Sequence, residues 1–243
     1  MRDPAAGEQV EREGAAMAAA RESGAPAPAV YGRVEVRGRP GLVVERIDGP
    51  DLLMLIGRRP WTIVSAARTL GEVHARLHEV AAPPTLPAIE DVVRERLRAA
   101  DAAPSDLVAF ALAGLDKLPS GDRLLHGDLH PANILVAAGR PAAIDWVRAG
   151  RGDPAADVAW TRLLLRLARP YPSAPAVVRR LHPLGRGLME REYLRAYRRL
   201  RELDLDLVDR WEPVLAVARL ATDLPGERAA LLALLEGAMP QRG

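Results

Sequence analysis

The sequence predicts a mixed α/β protein of two unequal parts, a small N-terminal part up to about Gly49 and a larger, mostly helical part over residues 50–243. Residues 31–47 form two β-rich runs around a turn-prone centre at residues 37–40, the pattern of a hairpin. Residues 61–80 instead repeat apolar side chains every three or four positions, the period of a buried helix face. Between residues 123 and 145, short β-like runs alternate with turn residues and carry polar side chains that a solvated surface does not explain.

In chain order, residues 8–22 are rich in Ala, Glu and Arg at helical spacing, and Ser23 and Gly24 end that helix. Pro26 and Pro28 force an extended connector into the hairpin, and Asp48, Gly49 and Pro50 close the second strand. The sequence changes character there, so the boundary between lobes is expected near residue 49. In the long helix Val64, Ala67, Leu70, Val73, Leu77 and Val80 share a face. A proline-rich loop at residues 81–88 precedes helices at 90–100 and 105–115. The β-like runs RLLHGD, NILV and AAID follow, and helices are expected at 155–167, 188–203, 207–222 and 227–239.

Composition narrows the chemistry. Lys and Arg total 34 against 32 Asp and Glu, and a net charge of +2 argues against a nucleic-acid binder. Arginine supplies all the basic side chains but one, Lys117. With no cysteine, disulfides, thiolate metal sites and a cysteine nucleophile are excluded, and catalysis must use oxygen and nitrogen groups. No apolar run approaches the roughly 18 residues that cross a bilayer, and the acidic N-terminus does not fit a signal peptide, so the cytoplasm is the expected compartment and no membrane partner is expected.

The chemistry-bearing stretch is LHGDLHPANILVAAGRPAAIDW, residues 125–146, where Asp128 precedes Asn133 by five positions and Asp145 follows twelve later. In the pattern H-R-D-L-x-x-x-N, an aspartate takes up a substrate hydroxyl proton and an asparagine five positions on holds Mg2+. His126, Asp128 and Asn133 keep that register, and Asp145 in Ile-Asp-Trp is the candidate for the carboxylate that joins the asparagine in holding the metal.

HGDLHPAN, followed by AIDW and GDPAAD, resembles the aminoglycoside phosphotransferase and choline kinase-like family, which has a protein-kinase-like two-lobe fold. VEREGAAM is similar to the family's glutamate-bearing helix, VVERIDG to its last N-lobe strand and hinge, and LGEVHARLH to its first C-lobe helix. The resemblance implies ATP-dependent phosphoryl transfer to a hydroxyl of a small molecule, with ATP and Mg2+ as cofactors. It makes Asp128 the catalytic residue, with His126 and His130 orienting its loop, and Asn133 and Asp145 the Mg2+ ligands. It makes Asp157 a buried partner for the loop's backbone amides, and Glu45, Arg46 and Ile47 the hinge that meets adenine. Glu13 takes the position of the helix glutamate that pairs with a strand lysine near the phosphates.

The family's glycine-rich hairpin and lysine strand are not found before Glu13, which only twelve residues precede. They would need about 40 residues more by ordinary strand and loop lengths. The expectation is a sequence that starts at an internal methionine of a longer gene, with weak or no activity as written. The competing expectation is a degenerate kinase that binds a ligand or partner without turnover. Lys117 is badly placed to substitute, and Arg2 is a planar fork where a point charge belongs.

Other polar groups have plainer readings. His74 and His78 are four apart on one helix face, with no third metal ligand nearby in sequence, and read as packing residues. Arg162, Arg166, Arg169, Arg179, Arg180, Arg195, Arg198 and Arg199 read as solvated helix faces. Asp204, Asp206, Asp209 and Glu212 would suit a cationic substrate but read first as an exposed turn and helix start. Trp160, Tyr193, Tyr197 and Trp211 are expected in the core or a pocket wall.

Overall fold

The computed structural model describes residues 4–100, 103–168, 176–222 and 226–238, so Arg2 and Arg169 lie outside the described residues, as do the side chains of Arg179 and Arg180. The first helix, α1 (Pro4–Glu22), is followed by the antiparallel pair β1 (Val30–Val36) and β2 (Arg39–Val44). Gly24 at φ 77° ends α1: Ala25 N–H donates to the Ala20 carbonyl and Gly24 N–H to that of Arg21, the paired bonds of a left-handed cap. The hairpin turns at Arg37 and Gly38, both at positive φ, which matches the twist of the strands it joins.

A two-stranded sheet is marginal by itself, and here α1 packs on both strands, with Gly14 against the Leu42 side chain. Ala16, Met17 and Ala20 are the buried side of α1, while Tyr31, Val34, Val36, Val43 and Val44 remain exposed on the strands. Residues 45–50 then run onto the next part of the chain: Glu45 N–H donates to the Ala29 carbonyl, and Val136 N–H to that of Pro50. A Cβ at Gly49 would overlap the Val136 carbonyl, so this close approach requires glycine.

Beyond it come α2 (Leu52–Arg58), α3 (Ile63–Leu77), α4 (Ile89–Arg98) and α5 (Ser105–Leu115). The strands β3 (Arg123–Leu125), β4 (Ile134–Ala137), β5 (Arg140–Ala143) and β6 (Gly150–Gly152) form two antiparallel pairs, β3 with β6 and β4 with β5. The chain ends in α6 (Pro154–Leu167), α7 (Ala176–Leu200), α8 (Leu205–Leu220) and α9 (Arg228–Ala238). The architecture is thus mixed α/β and mostly helical, as the sequence predicts.

Three elements differ from the sequence-based expectation. α2 is short and starts at Asp51, whose carboxylate accepts the Met54 N–H at 2.6 Å. β6 is the tripeptide Gly-Arg-Gly, a strand set by pairing with β3 and not by side-chain preference. α7 begins well before residue 188 and carries Pro183 inside it, where a proline reads as a break.

α3 packs along α7, and α8 packs on α5, α6 and α9. The largest fully buried side chains include Trp146, Trp211, Tyr193, Tyr197, Leu70 and Leu77. The α3–α7 crossing is close at Gly71, where an added Cβ would overlap the Tyr193 carbonyl oxygen and stand 2.9 Å from the Tyr197 nitrogen. These are backbone atoms that only a shift of the helices can move. Gly71→Ala is therefore expected to destabilise the fold by about 1–3 kcal/mol, the usual cost of overpacking. A thermal midpoint unchanged from wild type would contradict this packing.

Candidate active site

The loop that joins β3 to β4 carries His126 to Asn133, and its shape is fixed from below by α6. The Asp157 carboxylate, buried in the first turn of α6, accepts the His126 N–H at 2.6 Å and the Gly127 N–H at 3.1 Å. Thr161, one turn further along α6, donates its hydroxyl to the Leu129 carbonyl at 2.8 Å. Gly127 sits at φ 76° with its α-carbon against the Arg148 carbonyl, so a side chain fits neither the backbone nor the space. Three buried backbone groups are thereby satisfied, and the loop has one conformation to offer.

Asp128 is half-buried at the centre of this loop. Trp160 Nε1 donates to its Oδ1 at 3.1 Å, and Arg148 Nε stands 3.8 Å from Oδ2. Asn133 is buried, and its Nδ2 donates to the Asp128 carbonyl at 2.9 Å, which leaves Oδ1 as an acceptor or ligand. The Asn133 carbonyl in turn accepts the N–H of Ile144, the residue before Asp145. Asp145 is exposed and held at φ 64°, a left-handed conformation that aspartate tolerates better than most residues. One side-chain bond thus links Asn133 to Asp128, and one backbone bond links Asn133 to the residue before Asp145.

The histidines of the motif support the loop. His126 is fully buried, with Nε2 3.0 Å from the Ile144 carbonyl and its ring 4.8 Å from that of Trp146, so it joins the loop to the segment that carries Asp145 and meets no solvent. Burial pushes its pKa down to about 4, against the opposing charge of Asp157. His130 caps the 3-10 turn at Pro131–Asn133, its Nδ1 accepting the Ala132 N–H at 3.2 Å, and burial lowers its pKa too.

Beneath the loop, Asp157 gathers a buried cluster that the sequence does not reveal. His74 Nε2 and His78 Nε2 lie 3.1 and 3.4 Å from Asp157 Oδ2. Their Nδ1 atoms are each 2.8 Å from a tyrosine hydroxyl, Tyr193 for His74 and Tyr197 for His78. The third member that His74 and His78 lack nearby in sequence is therefore Asp157, 79 residues beyond His78, and the ligand atoms of the three lie within 4.8 Å of one another. Burial alone would raise the Asp157 pKa, but the two imidazoles outweigh it and hold the carboxyl well below its usual range.

Burial, then the neighbouring His74, pushes His78 down to about 3. His78 and His126 are neutral in the folded chain and charge at about 6.5 once unfolded, so the unfolded state binds more protons between pH 6.5 and about 4. Their contribution is complete above pH 6.5 and is lost as pH falls, at up to about 1.4 kcal/mol per pH unit for each group. The thermal midpoint is expected to fall steadily from pH 7 to pH 4.5, with about two protons taken up on unfolding near pH 5. A midpoint independent of pH over that range would contradict the buried neutral pair.

Glu13 of α1 faces the same centre. Burial and then the nearby Asp145 charge raise its pKa, while the Trp146 N–H donates to it, and among the described residues it has no cationic partner. A bound cation would relieve the repulsion between these acids. The donor set, the Asn133 amide oxygen and the Asp145 carboxylate with Glu13 nearby, is of the hard-oxygen type that Mg2+ takes.

In the hinge, Glu45 bonds back to Ala29 N–H at 3.1 Å and lies 3.5 Å from Arg21, and the exposed Arg46 pairs with Asp48 at 2.7 Å. The Glu45 carbonyl and the Ile47 N–H take part in no backbone hydrogen bond among the described residues. Lys117 is exposed just past α5, where its carbonyl accepts a bond from Arg210.

Several charges differ from their plain reading. Arg162 is buried, not solvated, and pairs with Glu190, Asp209 and Glu212; Arg166 pairs with Glu190 and Glu212. Asp204, by contrast, stands at the helix start that the sequence predicts and caps α8 through the Asp206 and Leu207 N–H groups. Sequence reasoning also missed Arg148 and the contact of Trp160 with Asp128. Their signals were slight: an arginine three positions after Asp145, and a tryptophan one turn after Asp157.

The helix and hairpin at the N-terminus, the helical part and the braced loop between β3 and β4 make up a mixed α/β, mostly helical fold that matches protein-kinase-like phosphotransferase structures. The chain belongs to the phosphotransferase enzyme family known as APH, a family of mostly small-molecule kinases, whose family model matches residues 1–203. Among solved structures it is similar to an amicoumacin kinase, hAmiN, at 17% identity and TM-score 0.63, over 96% of this chain and 78% of that one. An aminoglycoside-3'-phosphotransferase of type VIII matches at 20% identity and TM-score 0.60, over 90% and 81% of the two chains. Choline kinase LicA from Streptococcus pneumoniae matches at 13% identity and TM-score 0.58, over 93% and 80%. No curated protein matches the sequence. Likenesses at these identities show the fold. No helix among the described residues is long and apolar enough to cross a membrane.

Proposed function

We propose that the protein transfers the γ-phosphate of Mg-ATP to a hydroxyl of a small molecule. The observation that carries this reading is the braced loop, which presents Asp128 partly exposed with Oδ1 fixed by Trp160, next to the Asn133–Asp145 pair. Asp128 aligns the acceptor hydroxyl with the γ-phosphorus and takes its proton as the new P–O bond forms and the bond to the ADP oxygen breaks. Positioning dominates here, because a late proton transfer needs no raised carboxyl pKa. The Glu45 carbonyl and Ile47 N–H receive the adenine edge, and Arg46 is the exposed residue between them. Asn133 and Asp145 would hold Mg2+, which when bound neutralises phosphate charge. His126, His130 and Asp157 keep the loop in register and touch neither substrate.

Calorimetry with ATP in the presence and absence of Mg2+ tests this reading. The expected result is binding that requires Mg2+; no binding in either condition would overturn it. One observation favours a second reading, a ligand- or partner-binding protein without turnover: Glu13 has no cation beside it among the described residues. In that case nucleotide binds weakly or not at all and no acceptor is phosphorylated.

A further inference from the structure

The charges around Asp128 are of the wrong sign for a cationic acceptor. Arg148 stands 3.8 Å from Asp128 Oδ2, and its guanidinium lies over the Trp160 ring, 5.8 Å from the centroid. Arg219, on α8, lies over the same ring at 5.4 Å, held by two bonds of 2.8 and 3.0 Å to Glu227. Trp160, the ring between them, donates to Asp128 Oδ1. Arg96 of α4 is the third cation, close enough for Asp128, Arg148 and Arg219 each to act on its charge. It is partly buried, and burial together with the two arginines holds its pKa below the usual arginine value. Among the described residues it has no hydrogen-bond or ion-pair partner.

Arg148 and Arg219 thus flank Trp160 beside Asp128, and Arg96, within electrostatic range of both arginines and of Asp128, has no hydrogen-bond or ion-pair partner among the described residues. The acids that might have received an ammonium group are engaged elsewhere: Asp209 and Glu212 pair with Arg162 and Arg166, and Asp204 caps α8. The groups that hold a nucleotide in the proposed reading come from other elements, Glu13 from α1 and residues 45–47 from the end of β2, whereas Arg96 and Arg219 come from α4 and α8, which pack on each other.

Resting on the phosphotransferase reading of this site, we propose that the acceptor is an oxyanion, a hydroxylated carboxylate or phosphate ester, whose charged end is held by Arg96, Arg148 and Arg219 while its hydroxyl meets Asp128. Arginine suits this task because its planar fork matches two oxygens of a carboxylate or phosphate. In the transfer, the acceptor hydroxyl oxygen bonds to the γ-phosphorus of ATP, the bond to the β–γ bridging oxygen breaks, ADP leaves and Asp128 receives the proton. The anionic end of the acceptor is unchanged and serves only to orient.

The test uses the whole chain with Mg-ATP and four matched classes of acceptor: D-gluconate and D-glycerate, D-glucose 6-phosphate, the neutral glycerol and D-glucose, and the cations choline and kanamycin. ADP release reports transfer, and calorimetry reports binding of Mg-ATP, gluconate and glucose 6-phosphate separately. The expected result is transfer to, or binding of, an oxyanion and neither neutral nor cationic acceptors. Carboxylate and phosphate arms tell the two anion types apart. Arg96→Gln, which breaks no hydrogen bond or ion pair among the described residues, is expected to weaken the oxyanion's KM or Kd at least about tenfold, the loss of one charge-assisted contact, with Mg-ATP affinity unchanged.

Transfer to choline, kanamycin or the neutral acceptors overturns the inference and leaves the phosphotransferase reading standing. Binding of Mg-ATP with neither transfer to an oxyanion nor binding of one overturns it as well. A loss of Mg-ATP affinity in Arg96→Gln with unchanged oxyanion affinity assigns the arginines to the nucleotide and also overturns it. Absence of Mg-ATP binding removes the reading on which the inference rests, and the inference fails with it.

Discussion

Asp128→Asn is expected to lower turnover by about 10²–10⁴-fold, the range for loss of a positioned proton acceptor, while the protein folds as before. The substitution is nearly isosteric, and an Asn Oδ1 still accepts the Trp160 Nε1 bond now made at 3.1 Å. What disappears is the negative charge beside Arg148 and the lone pair that would receive the hydroxyl proton. Mg-ATP affinity should change little, because the proposed metal ligands are Asn133 and Asp145. Steady-state kinetics against a phosphorylated acceptor, with thermal melting as the control, measures this directly. Turnover within a few-fold of wild type would remove Asp128 from its role.

Asp145→Asn is the second large effect, and it falls on the nucleotide. Asparagine tolerates the φ of 64° at this position, so the backbone has no new strain to relieve. The variant keeps one oxygen but loses the charge that a hard cation needs. Mg-dependent affinity for ATP should fall at least about tenfold, since a contact to a charged group contributes about 1.5–3 kcal/mol. The same change removes the charge that helps raise the Glu13 pKa, so the Glu13 carboxyl should titrate at lower pH in the variant. Calorimetry with and without Mg2+ checks the first effect and carboxyl titration by NMR the second. Unchanged Mg-ATP affinity would show that Asp145 is no ligand.

Much of this fold was legible because local and tertiary signals agree. The apolar stripe through Leu70, Val73 and Leu77 marks α3, and those residues are buried; Arg37 and Gly38 mark a hairpin turn, and both have positive φ. The loop from His126 to Asn133 was legible for another reason: catalytic geometry concentrates special residues within a few positions. The missed features depend on partners far along the chain. Asp157 meets His74 and His78 only once tertiary folding brings the first turn of α6 to α3, and the Trp160–Asp128 contact spans 32 residues. Arg162 reads as a surface charge because nothing in its own helix announces Glu190, Asp209 and Glu212. The arginines around Asp128 come from α4, the segment before β6, and α8, so no window of sequence contains them together.

The central claim is that a phosphoryl group moves from nucleotide to hydroxyl at Asp128. Phosphorus NMR of the protein with Mg-ATP and the oxyanion, neutral and cationic acceptors together reads that event without a coupling enzyme. The account predicts a growing phosphate monoester resonance in equal amount to ADP, absent in Asp128→Asn. ADP accompanied only by inorganic phosphate, or an ester that forms as fast in Asp128→Asn as in wild type, would contradict it.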